Sequence, residues 1–495
     1  MIVSNRDKLL PTTMRTNKSN KSLNTYTNKQ HNLVSRVMFV SLLCIFVCTG
    51  VLFIYYESDI THIQHSATPS ITHHIFNYKH HSSIHPRQLQ QYSYNDIPQL
   101  STATACNMDY SGNYSGCTEC TKYKPDPVMT NKTRDERTKL HEFQSTVQSY
   151  HKLAHKYFIP DSRGIVSSVG TAWDAESAYS QIHQLRYYFN TTIPIQLFHL
   201  PGEISLIEKS KLQSLPEVEV IDLTDSSLYA PASEEQAKTT GRKYFVKPTA
   251  IINSKFEHVM WLDSDNIILA DPTYLFDLPQ YQYTTALLWP DNYMWNVGSD
   301  ANPPKYFWTG GVFSHNPIFQ VLGITCISDE NAGESGQMIV NKQLGWLALN
   351  TINYMAINHR YYMDELQLLG DKDFFRLVWR SLQLPYFQIR MPWHLAGFMH
   401  GHDRFCGLGM VQHDPDNNIV FLHANGLKTQ THIGWSTSPF THLNRFAHVS
   451  SQTTFGGNGC GLILHGNNQT NTYTQEMDDD MKAAFEAYKR GASSY

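Results

Sequence analysis

The stretch Lys255–Phe276, KFEHVMWLDSDNIILADPTYLF, limits what this chain can fold into more than any other. Val259-Met260-Trp261-Leu262 climbs without a charge to Asp263-Ser264-Asp265, and a second apolar run, Ile267-Ile268-Leu269, leaves it. The first run has the length and composition of a buried strand. Two carboxylates then stand two residues apart where a strand opens into a turn. In an open α/β sheet, ligands bind at that carboxyl end. A carboxylate pair suits a hard divalent cation, and a cation suits a diphosphate leaving group.

The segments on either side alternate in period. Ile165–Gly170 reads as a strand ending in a glycine turn, Trp173–Phe189 as a helix, and Ile193–Phe198 and Val218–Leu223 as strands. Lys243–Ser254 reads as a helix despite Pro248. Strand, helix, strand alternation predicts an α/β fold with a mostly parallel sheet flanked by helices. Further on, Thr285–Trp289 is a strand, Gly333–Val340 a turn into a strand or short helix, and Leu344–Tyr362 and Asp371–Leu382 are helices. Ile419–His423 is expected to be a final short strand and Gln475–Lys489 an amphipathic helix. Asp371 suits the N-cap or first turn of its helix.

Upstream, residues 1–36 carry seven Lys and Arg (Arg6, Lys8, Arg15, Lys18, Lys21, Lys29, Arg36) against Asp7 alone. Val37–Tyr56 follows, 20 residues without a charge, long enough to span a bilayer as a helix. The charge bias predicts a single-pass type II signal anchor with a cytoplasmic tail and a lumenal bulk. Residues 57–105, polar and rich in His, read as a flexible stem. Residues 106–163 are a transition with a helix over Arg134–Tyr157, and residues 164–495 the catalytic domain. Six cysteines lie beyond the span: Cys106, Cys117, Cys120, Cys326, Cys406 and Cys460. In an oxidising lumen they permit three disulfides, whose pairing the sequence leaves open. Net charge is −4, which excludes nucleic acid as a bulk-charge partner.

Several blocks carry a resemblance, in this order: GIVSSVG at Gly164–Gly170, Leu185–Phe198, Ser254–Phe276, LLWPD at Leu287–Asp291, ESGQMIVNK at Glu334–Lys342, GDKDFFRLVWRSL at Gly370–Leu382 and FLHANGLK at Phe421–Lys428. Together they resemble the fungal Golgi α-mannosyltransferases that extend outer chains of N- and O-linked glycans. The resemblance implies a GT-A-like nucleotide-sugar-binding fold, GDP-mannose as donor, a mannosylated glycan as acceptor, α-1,2 or α-1,3 linkage and retention of configuration. It also implies the Golgi membrane, Mn²⁺ or Mg²⁺ as cofactor, and other Golgi mannosyltransferases as partners. A glycogenin-like UDP-sugar enzyme and a non-catalytic mannan-binding relative are the alternatives.

Asp263 and Asp265 are the expected metal ligands and donor contacts. His423 is the third candidate ligand, and Lys428 and Lys247 are candidates for the diphosphate. In glycogenin-like enzymes a late His-x-x-Gly-x-x-Lys supplies such a His and Lys; here the spacing, His423 to Lys428, is one residue shorter. Lys247 has a competing reading as a solvated helix lysine. Gly170 is placed at the nucleotide by analogy. Retention needs a carboxylate nucleophile or a front-face route. The catalytic candidates are Asp371 first and Asp373 second, with Glu334 on sugar hydroxyls. Trp289, Asp291 and Trp295 could form a sugar platform, with a buried core Trp as the competing reading. His394, His400, His402 and His413 lack a zinc-motif frame.

Overall fold

A computed structural model describes residues 129–150, 156–238, 243–294, 316–324, 331–366, 368, 370–391, 393–400, 404–427, 434–437, 439–444, 453–455, 462–465 and 474–495. The tail, the apolar segment Val37–Tyr56, the stem, Trp295, His402 and Lys428 lie outside the described residues. Among the described residues no helix is long and apolar enough to cross a membrane.

Helix α1 (Asn131–Tyr150) leads into strand β1 (Ile159–Ser168), helix α2 (Ala172–Tyr187) and strand β2 (Ile195–His199). Helix α3 (Leu206–Gln213), strand β3 (Val218–Asp222), helix α4 (Val246–Asn253) and strand β4 (Phe256–Leu262) follow. After β4 the chain makes the short β5 (Asn266–Ile268), then β6 (Ala286–Met294), β7 (Asn331–Asn341), helix α5 (Trp346–Ile357), helix α6 (Lys372–Ser381) and β8 (Phe387–Gln388). Seven of these strands form one sheet in the order β3-β2-β1-β4-β7-β6-β8. Only β7 runs against the rest, pairing antiparallel with β4 and β6. The expected mostly parallel α/β sheet is therefore present.

Alternation along β4 shows why the opening stretch reads as apolar throughout. Val259 and Trp261 belong to the core on one face, while Met260 and Leu262 belong to the core on the other. Successive strand residues point to opposite faces, so a sheet covered on both sides needs an unbroken apolar run. Leu140 and Val147 of α1 join the first of these cores, so packing begins upstream of Gly164.

The C-terminal third departs from the alternating pattern. Strands β9 (His394–His400), β10 (Arg404–His413), β11 (Ile419–His423), β12 (His442–Asn444), β13 (Thr453–Phe455), β14 (Leu462–His465) and β15 (Thr474–Glu476) form a second sheet. Its described pairings are all antiparallel. Ile419–His423 is a strand as expected, but it is not the last one, and it belongs to this second sheet. The final helix, α7 (Asp479–Ser494), starts later than expected, capped by Asp478, whose Oδ1 accepts from Met481 N at 2.8 Å. The three residues Thr474–Glu476 pair with β12 instead of joining that helix. Cys406, in β10, is disulfide-bonded.

Candidate functional site: an acidic centre where two sheets meet

The turn after β4 is held from three directions. From β7, Gly336 O accepts the Asp263 amide at 2.7 Å and the Asn266 side-chain amide at 2.7 Å. From α2, the Gln181 side chain donates to Asn266 O at 2.7 Å, and Gln184 both donates to Ile268 O and accepts from Ile268 N. From β11, the antiparallel pairing sets His423 opposite Asn266, and Ala424 N donates to Asp265 O at 2.9 Å. This last pairing brings a side chain from the second sheet to the end of the first.

The result is a compact donor set. Ligand atoms of Asp263, Asp265 and His423 lie within 4.8 Å of one another. His423 Nε2 is 3.3 Å from Asp265 Oδ1 and 3.9 Å from Asp263 Oδ2. Its other nitrogen, Nδ1, is 3.4 Å from Glu334 Oε1. Glu334 is itself fixed by the Ser335 and Gly336 amides, at 2.9 and 2.7 Å. A carboxylate on the far nitrogen of an imidazole sets the ring's orientation for a metal on the near one. Gly336 makes room for this: a Cβ there would stand 2.5 Å from the His423 ring atoms.

The electrostatics show a demand for positive charge. Burial disfavours a charged His423, yet Asp265 and Glu334 outweigh it and hold the imidazole up at about 10. Burial also opposes the charge on Glu334, but His423 and Lys372 hold that carboxyl down at about 2. Asp265 is fully buried. Two carboxylates and one imidazole, with a proton standing in for a cation, fit a divalent transition ion.

Lys247 stands beside this centre. Its Nζ lies 3.1 Å from Asp263 Oδ1 and 3.8 Å from Asp371 Oδ2, and it donates to Ser335 O at 2.7 Å. Burial lowers the ammonium's affinity for its proton, but Asp263, Asp371 and Glu334 reverse this and raise it above the ordinary value. The reading of Lys247 as a solvated helix lysine is thus corrected: the side chain of α4 is turned inward and links Asp263 to Asp371. Asp371 is buried, which raises its carboxyl against the pull of Lys247. It makes no side-chain cap at the start of α6.

Asp373, two residues on and in the first turn of α6, is directed elsewhere. It accepts from Gly333 N at 3.1 Å and lies 3.5 Å from Lys372 Nζ and 3.7 Å from Arg376 Nη2. Asp291 pairs with Lys372 at 2.5 Å. Trp289 has no exposed surface and donates from Nε1 to His413 O at 2.8 Å. A sugar platform on Trp289 is therefore replaced by the core reading. His413 packs edge-on against His394, ring centroids 4.4 Å apart.

Next to Asp263 and Ser264 opens a cavity of about 430 Å³, lined also by Ser168, Gly170, Thr171, Asp174, Glu203 and Lys243. Gly170, assigned to the nucleotide by analogy, lines this cavity. Asp174, Glu203 and Lys243 were not singled out in the sequence. The only local sign was Thr171 three residues before Asp174, a helix-start pattern, and Thr171 Oγ1 does accept the Asp174 amide at 3.1 Å.

Comparison with known proteins points to mannosyltransferases. The family model described as "Mannosyltransferase putative" matches residues 162–308 and 328–414, a span that includes Asp263, Asp265, Glu334 and Asp371 and stops short of His423. Alpha-1,2-mannosyltransferase MNN22 of Candida albicans is 26% identical over 314 residues, covering 57% of this chain and 52% of that protein. Alpha-1,2-mannosyltransferase MNN5 of Saccharomyces cerevisiae is 22% identical over 372 residues, covering 64% and 61%. The chain thus spans between half and two thirds of the length of these curated relatives. Among solved structures, the mannosyltransferase Ktr4p from S. cerevisiae in complex with GDP overlaps 52% of this chain and 83% of its own, at 15% identity and a TM-score of 0.28, too loose to carry an argument. The family match between residues 162 and 414, together with the curated fungal relatives, shows that the chain belongs to the mannosyltransferase family that this model describes.

Proposed function

We propose that the chain is a metal-dependent α-mannosyltransferase of GT-A-like fold that takes mannose from GDP-mannose and adds it, with retention, to mannosylated glycans. The observation that carries this is the Asp263–Asp265–His423 donor set at the carboxyl end of β4, beside a cavity of about 430 Å³. A bound Mn²⁺ or Mg²⁺, held by these three residues, would neutralise charge on the departing diphosphate. Lys247 adds a second positive group on the same side, with Lys428 a further candidate. Glu334 holds His423 in orientation from its far nitrogen. Asp371, tied to the centre through Lys247, is the first candidate for the carboxylate that faces the anomeric carbon. Asp373 is the weaker candidate, because its contacts serve Gly333 and Arg376. A type II anchor at Val37–Tyr56 would place this centre in the Golgi lumen, where mannosylated glycoproteins and other mannosyltransferases are its partners.

The test is transfer from GDP-mannose to a panel of mannosides with Mn²⁺, followed by linkage and anomer analysis of the product. An EDTA-sensitive α-mannoside is expected. EDTA-insensitive release of mannose, or transfer from UDP-sugars only, would overturn the proposal.

A further inference from the structure

We propose that the ion pair Lys243–Glu203, in the cavity beside the Asp pair, reads the base of the donor and selects guanine; this rests on the nucleotide-sugar reading above. The cavity is bordered by two carboxylates that converge over one glycine. A Cβ on Gly170 would stand 3.5 Å from Asp174 Oδ2 and 3.7 Å from Glu203 Oε1. The two carboxylates are committed differently. Asp174 accepts from Thr171 Oγ1 at 2.8 Å and from Ser264 Oγ at 3.3 Å, and Ser264 lies between the two expected cation ligands. Asp174 therefore belongs to the cation end of the cavity. Glu203 is paired with Lys243, whose Nζ is 2.7 Å from Oε1, and its Oε2 accepts from Leu200 N at 2.7 Å. Its side chain is 10% exposed, so the amide and the ammonium fix its direction.

This pair presents a donor followed by acceptors. Lys243 offers N–H groups, and each Glu203 oxygen keeps a lone pair beyond its present contact. Guanine presents the complement along one edge: the O6 acceptor, then the N1–H and N2–H donors. Uracil sets a carbonyl on each side of its single N–H, so one carbonyl would face the carboxylate. Adenine and cytosine turn an amino donor toward the ammonium. Selection then comes as much from repelling the wrong base as from holding the right one.

The test is calorimetric titration of the chain with GDP, IDP and UDP at saturating Mn²⁺. IDP lacks only the N2 amino group, so the GDP-to-IDP affinity ratio reads the carboxylate contact directly. A hydrogen bond to a charged group gives a ratio of about tenfold or more in the unaltered chain. Glu203→Gln is expected to weaken GDP about 10- to 100-fold and to bring the ratio close to one. Lys243→Met should weaken both GDP and IDP about tenfold or more, because both carry O6; it serves if Glu203→Gln does not fold, and unchanged affinity for both overturns base reading by this pair. A GDP-to-IDP ratio near one in the unaltered chain, or a ratio unchanged by Glu203→Gln, overturns base reading by this pair and leaves the GDP-sugar donor standing. Tighter binding of UDP than GDP, or no binding of any diphosphate, overturns the donor reading with it.

Discussion

Strand β4 has an acid–histidine cluster at each end, and only one has the form of a reaction centre. At its carboxyl end stand Asp263, Asp265 and His423; at its start stand Asp161, Glu257 and His258. Both bring three ligand atoms within 4.8 Å of one another. In the second cluster the groups already have other work. Glu257 accepts from the Asp161 amide at 2.9 Å, and His258 Nδ1 lies 2.8 Å from the Tyr281 hydroxyl. Burial lowers the His258 pKa, Glu257 pulls it back up, and Arg163 pushes it down again, so it ends below its ordinary value. In the first cluster the balance runs the other way and His423 rises to about 10. Proximity of donor atoms does not by itself make a metal site. The net charge around them and the cavity beside them decide.

The comparison breaks most sharply at Asp265. Asp265→Asn is expected to lower mannosyl transfer by about 10³-fold, since several kcal/mol of charge stabilisation depend on the cation. Mannoside formation with the purified variant measures this, and near-normal Mn²⁺-dependent transfer would end the metal assignment. Gly336→Ala places a methyl group against the His423 ring, 2.5 Å away. It should displace the imidazole and cost about 1–3 kcal/mol of stability, read by denaturant melts. Glu334→Gln keeps the shape and removes the charge behind His423, so Mn²⁺ affinity should fall about 10- to 100-fold in an EPR titration.

The pH dependence sharpens the contrast further. His423 is raised from 6.5 to about 10, so its contribution to stability is complete below about pH 6.5. In the metal-free chain it is lost as pH climbs toward about 10. A cation competes with that proton, so Mn²⁺ affinity should rise about tenfold per pH unit over the same window. Thermal melts with and without Mn²⁺ across this range should diverge as pH rises. The smallest effect belongs to the other cluster. Glu257→Gln should leave Mn²⁺ affinity within about twofold and the stoichiometry at one ion, because nothing at that end demands a cation.

Much of the first sheet was legible because its signals are local. The unbroken apolar run of β4 reports burial on both faces, and the helix that became α2 carries its own start pattern at Thr171. Asp263 and Asp265 were visible because a carboxylate pair at a strand end is itself local. The second sheet was not legible beyond β11. Strands β12 to β15 are only three or four residues long, pairings such as Gly397 with His442 and Arg404 with His465 join distant segments, and no periodicity in Gln475–Lys489 separates β15 from α7. Trp289, which reads from the sequence as either a platform or a core residue, is settled only by its bond to His413 O.

The sequence by itself determined the α/β class of the first sheet, the acidic turn after β4 and the family. Only the tertiary structure decided what surrounds that turn. The antiparallel pairing of β11 with β5 carries His423 across from the second sheet, and β7 brings Glu334 behind it. The inward turn of α4 converts Lys247 from a surface charge into the link between Asp263 and Asp371. The base-side pair Lys243–Glu203 comes from two loops 40 positions apart. Each of these depends on which groups share a low-dielectric space. That is a property of packing between distant segments, and no window of sequence contains it.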